Sequence, residues 1–101
     1  MLKIFISQPT SNISYEAILR NREEAIKHIH EIFENTPLAI VSNVSDAAPE
    51  NIKNKDLWYL GASMKNMADS SFAYFCKGWQ LDINCQIEHE CAVTYGVRII
   101  E

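Results

Sequence analysis

Leu2-Lys3-Ile4-Phe5-Ile6-Ser7-Gln8-Pro9 is the stretch that decides the architecture. It is a short, almost unbroken apolar run, the pattern of a strand buried on both faces. Pro9 closes it, because proline cannot extend a ladder. A strand of this kind belongs to a parallel sheet covered by helices on both sides.

Working outward, Ser14 predicts an N-cap, with Glu16 in the first turn where the helix dipole favours a carboxylate. Ile18, Arg22, Ala25, Ile29 and Phe33 then recur at helical spacing, and Arg20, Glu23, Glu24, Lys27 and Glu31 fill the solvated side. Asn35-Thr36-Pro37 stops this helix, and residues 38–44 read as a second strand. Residues 45–55 show no period and form a long loop, a feature that is often functional. Asp56 is expected to cap a second helix with a buried stripe of Leu57, Leu60, Met64 and Met67, and Gly61 inside it suggests close packing or a bend. Residues 71–76 are a third, aromatic strand. Lys77-Gly78-Trp79 turns the chain, a third helix runs from about Asn84 to Tyr95, Gly96 ends it, and residues 97–100 form the last strand.

The order βαβαβαβ predicts an α/β fold, a flavodoxin- or Rossmann-like three-layer sandwich with a four-stranded parallel sheet in the order 2-1-3-4. Residues 1–101 are expected to form one domain. In such a sheet ligands bind beyond the carboxyl ends of the strands, at the switch point between the first and third. That rule selects Ser7, Gln8 and Pro9, then Gly78 and Trp79, then Asn84 at the start of the third helix.

Composition bounds the function. A hydrophobic content of 48% and a charged content of 22% are ordinary for a globular domain. The net charge of −4 disfavours a nucleic-acid polymer as partner. No run of about 18 apolar residues suggests a membrane span, and the N-terminus lacks the apolar stretch of a signal peptide. Cys76, Cys85 and Cys91 are an odd number without metal-ligand spacing, which suits the cytoplasm; no metal or cofactor is implied.

The sharpest local conflict lies in the third helix. Its inward stripe is expected to be Glu88, Cys91, Ala92 and Tyr95. A carboxylate on an apolar stripe is unfavourable unless it is paired or has a task. Glu88 either complements the positive end of the helix dipole or serves the ligand edge. Cys85 and His89, four apart at the helix start, allow a cysteine nucleophile with a histidine partner; an inert buried thiol is the plainer alternative. Trp79 could stack on a base or make a rim contact, and Trp58 and Tyr59 begin a helix on the same edge. His28 and His30 are expected to be solvated, and a phosphate could bind at the N-terminus of the first or third helix.

Lys3-Ile4-Phe5-Ile6-Ser7-Gln8-Pro9, Met67-Ala68-Asp69 and Cys85-Gln86-Ile87-Glu88-His89-Glu90, followed by Ala92 and Gly96, together resemble short bacterial and phage proteins similar to the nucleoside 2-deoxyribosyltransferases and deoxynucleoside 5′-monophosphate N-glycosidases. The resemblance spans the whole chain, and its most specific part is Glu88, Ala92 and Gly96 leading into the last strand. It implies that Glu88 is a nucleophile attacking C1′ of a deoxyribosyl group, with a deoxynucleoside or its monophosphate as partner. It also implies a homo-oligomer. The chain departs from the family in three places. Gly61 stands where the enzymes carry an aspartate, Asn84 stands where they commonly carry a glycine, and the sequence stops at Glu101, directly after the last strand, where the transferases have a segment that completes a neighbouring site. Asp69 precedes the third strand and so falls at the wrong end of the sheet. Asp56 is the carboxylate on the correct edge, as a pocket group or an N-cap. The competing expectation is a non-catalytic nucleotide-binding module on the same fold.

Overall fold

The computed structural model describes residues 1–42 and 47–101. Strand β1 (Leu2–Ser7) leads into helix α1 (Tyr15–Ile32), then β2 (Leu38–Ser42), α2 (Lys55–Ala68), β3 (Phe72–Phe75), a short 3-10 turn (Trp79–Leu81), α3 (Ile83–Thr94) and β4 (Arg98–Ile100). All strand pairs are parallel and the sheet order is β2-β1-β3-β4, as the alternation predicts. Val44, the expected end of β2, and Ser45 and Asp46 of the expected loop lie outside the described residues. No helix among the described residues is long and apolar enough to cross a membrane.

The pleat of β1 divides the core in two. Ile4 and Ile6 face α1, where they pack with Ala25, Ile29 and Cys76 and with the flanking Leu38, Ile40, Phe72 and Tyr74. Phe5 faces the opposite side, with Met67 of α2, Ala92 of α3, and Ala73 and Phe75 of β3. Alternate residues of one strand thus feed both layers, which explains why the N-terminal run contains almost no polar residue.

Capping follows local chemistry. The Ser14 hydroxyl accepts the Ala17 N–H at the start of α1 at 3.2 Å. At α2 the cap is Asn54, whose Oδ1 accepts the Leu57 N–H at 2.9 Å, and Asp56 sits inside the first turn rather than at the cap. Gly96 adopts φ +73° after α3, the left-handed residue that ends the helix.

Two expected stripes hold in their middle, with Met64 and Met67 on α2 and Glu88, Cys91 and Ala92 on α3 turned inward, but each loses its end residue. Leu57 is 63% exposed, and the buried centre of α2 is Ser63 with Met67. An apolar stripe drawn through leucines and methionines misses this, because the polar Ser63 is inside for a partner it finds on α3. Tyr95 is 82% exposed because α3 ends at Thr94, so the C-cap residue no longer continues the stripe; Cys85 is buried instead. Gly61 is exposed, and an added Cβ would meet nothing within 4 Å, so neither close packing nor a contact explains it.

Candidate functional site

Ser7 is the last residue of β1, and its side chain points to the α2–α3 side of the sheet. Glu88 lies one and a half turns into α3, on the same side. The Ser7 hydroxyl donates to Glu88 Oε1 at 2.6 Å, joining residues 81 positions apart. Ser63 of α2 lies in hydrogen-bond contact with the same carboxyl and within 3.2 Å of the Tyr59 carbonyl, so its single proton is shared between these two acceptors. Glu88 is 1% exposed, yet it lines an open cleft of about 180 Å³ with Gln8, Thr10, Asp56, Tyr59, Leu60, Ser63, Asp82 and Asn84. A carboxyl in this position is both sheltered and reachable.

Its proton affinity reflects the shelter. Burial pushes the Glu88 carboxyl up to about 7; the Ser7 and Ser63 hydrogen bonds oppose the rise, and the nearby Asp82 charge adds to it. Glu88 therefore titrates near neutrality, which suits a group that must hold or release charge during a reaction.

Asp82 was not selected by the sequence reading, and it organises the site. Its Oδ1 accepts the N–H groups of Asn84 at 3.0 Å and Cys85 at 3.1 Å, which caps α3. Its Oδ2 accepts those of Thr10 at 3.1 Å and Ser11 at 3.5 Å, in the loop after β1. Burial alone would raise the Asp82 carboxyl, but these four N–H groups outweigh it and hold the group below the ordinary range. The available signal was an aspartate one residue before an apolar helix start. Because Asp82 takes the N–H groups at the head of α3, that terminus is not free for a phosphate.

The remaining site residues divide between two places. Gln8 lines the cleft, and its side-chain N–H donates to the Ile18 carbonyl at 2.7 Å, tying the end of β1 to α1. Asp56 and Asn84 also line the cleft. Asn84 is helical, in the first turn of α3, so no left-handed turn is needed there. Pro9 is buried and does not line the cleft; its ring lies 3.8 Å from the position of a Cβ added at Gly78. Gly78 (φ +91°) and Trp79 do not border Glu88; they line a separate concavity of about 360 Å³ with Tyr74, Lys77 and Glu101. The left-handed Gly78 turns the chain so that the Trp79 ring stacks on His89, with centroids 3.8 Å apart and planes within 8°.

His89 has partners other than Cys85. The imidazole is held between Trp79 and Glu101, whose carboxylate lies 3.1 Å from Nε2. Burial pushes the Cys85 thiol up to about 12, so the helix start does not produce a thiolate. His28 is exposed but not merely solvated: its Nδ1 lies 2.7 Å from the Tyr74 hydroxyl. Asp69 pairs with Lys3 at the opposite end of the sheet. No protein-family model matches the chain, and neither does any curated protein or solved structure.

Proposed function

We propose that the cleft is the active site of an N-glycosidase or deoxyribosyltransferase acting on a deoxynucleoside or its monophosphate, with Glu88 as nucleophile. The observation that carries this is a carboxyl buried to 1% exposure that still borders a cleft beside the carboxyl end of β1. The residues that carry the family resemblance, Ser7 and Glu88, are hydrogen-bonded to each other.

The chemistry is a retaining displacement. Ionised Glu88 attacks C1′ as the base departs, through an oxocarbenium-like transition state, and the glycosyl ester passes to water or to a second base. Ser7 and Ser63 hold the carboxyl in place. Because the Glu88 proton must be lost first, activity rises with pH through about 7. Three unpaired cysteines fit a cytoplasmic protein, where such nucleotides are found. We read the assembly as a homo-oligomer, since β2 and β4 are the edge strands of the sheet, and the net charge of −4 argues against a nucleic-acid polymer as partner.

A second reading is favoured by Gly61, which lies exposed where the family carries an aspartate. On that reading the cleft binds a nucleotide without cleaving it. Incubating the protein with deoxynucleosides and their monophosphates separates the two. Base release that is lost in Glu88→Ala supports the enzyme; saturable binding without release supports the binding module. Neither binding nor release sinks both.

A further inference from the structure

We propose that the Glu88 cleft selects a deoxynucleoside whose base carries a fixed positive charge, and that this base leaves without receiving a proton from the protein. The proposal rests on Glu88 acting as the nucleophile.

The lining is charged with one sign. Asp56, Asp82 and Glu88 border the cleft, and among the described residues no lysine, arginine or histidine does; Gln8, Thr10, Tyr59, Ser63 and Asn84 supply neutral polar groups. A pocket of this kind favours a cation and rejects a phosphate through like-charge repulsion. The backbone N–H groups that could have offset such repulsion at the head of α3 are already taken by Asp82.

None of the three carboxyl groups is placed to act as the acid for the departing base. Both Asp82 oxygens accept N–H donors, so this group is held as an anion. Asp56 stands exposed in the first turn of α2, where the helix dipole favours negative charge. Glu88 has to be ionised to attack. A neutral nucleoside would therefore have to expel its base as an anion or draw a proton from solvent, whereas a base alkylated on a ring nitrogen departs neutral without one.

The electrons balance without a proton donor. A Glu88 Oε–C1′ bond forms while the C1′–N bond breaks, and its electron pair stays on the ring nitrogen and cancels the positive charge. Water then bonds to C1′, the ester bond breaks back to the Glu88 carboxylate, and the water proton passes to solvent. The cation also favours ionised Glu88 before attack, because an opposite charge nearby lowers a carboxyl's proton affinity.

Three ligands that differ in charge and in leaving ability test this, with Asp56→Asn separating the two effects: 7-methyl-2′-deoxyguanosine, 2′-deoxyguanosine and its 5′-monophosphate. Base release is followed by chromatography at about pH 6.5, with Glu88→Gln as the blank for spontaneous loss. The expected kcat/KM is roughly tenfold or more higher for the cation than for the neutral compound, and lowest for the monophosphate. Asp56→Asn, a change at an exposed position, should narrow the ratio of cation to neutral by roughly twofold or more. Glu88-dependent release from deoxyguanosine or its monophosphate at an equal or greater rate overturns the charge selection and leaves the nucleophile standing. No Glu88-dependent release from any of the three overturns both. An unaltered ratio in Asp56→Asn overturns the electrostatic origin of the selection.

Discussion

Replacing Glu88 by glutamine should make the protein more stable at neutral pH and leave it nearly unchanged in acid. Folding raises the proton affinity of this carboxyl from the ordinary 4.5 to about 7. Below about pH 4 both folded and unfolded chains hold the proton, and burial of Glu88 adds no pH-dependent penalty. Between those two values the unfolded chain ionises while the folded one stays protonated, so stability falls as pH rises. Above about 7 both are ionised and the penalty levels off. Each tenfold change in proton affinity is worth about 1.4 kcal/mol, which puts the plateau at roughly 3 kcal/mol. Glutamine has a similar shape, its carbonyl still accepts the Ser7 O–H, and it never ionises. Urea unfolding of both proteins at a series of pH values from about 4 to 8 gives the difference directly. The difference should grow from within about 1 kcal/mol at the acid end to roughly 2–3 kcal/mol at pH 8, or about 10–20 °C in Tm for a chain of this size. A pH-independent difference, or a Glu88→Gln protein less stable at pH 8, would refute the raised proton affinity.

Asp82→Ala removes the acceptor of four backbone N–H groups and should cost about 2–4 kcal/mol in urea unfolding, more than a helix cap alone. Since folding lowers the proton affinity of Asp82, its contribution is present above the ordinary carboxylate range and is lost as pH falls through the folded value; the acid limb of the stability curve should therefore be shallower in this variant. Gly61→Ala places a methyl group where nothing lies within 4 Å and replaces a poor helix former, so thermal unfolding should show a gain of about 0.5–1 kcal/mol.

Much of the fold was legible because the signals are local. The apolar run at β1, the capping Ser14, the periodicity of α1 and the left-handed Gly96 each sit within a few residues of their effect. The inner position of Glu88 was legible for the same reason, since helical spacing alone puts it on the stripe with Ala92. Where a polar residue is buried for a distant partner, that logic is blind to it: Ser63 is inside on α2 while Leu57, at the helix start, is exposed.

The sequence by itself therefore determined the order of elements, the parallel sheet 2-1-3-4, and the strand ends and helix face on which Ser7 and Glu88 lie. These follow from periodicity and connection rules that act along the chain. Tertiary structure alone decided that Ser7 and Ser63 close on the Glu88 carboxyl, that Asp82 binds the loop after β1 to the head of α3, and that Trp79 stacks on His89 away from the cleft. The Ser7–Glu88 and Asp82–Thr10 contacts join residues more than seventy positions apart. Their geometry depends on how two layers settle on the sheet, and no spacing within one element encodes it.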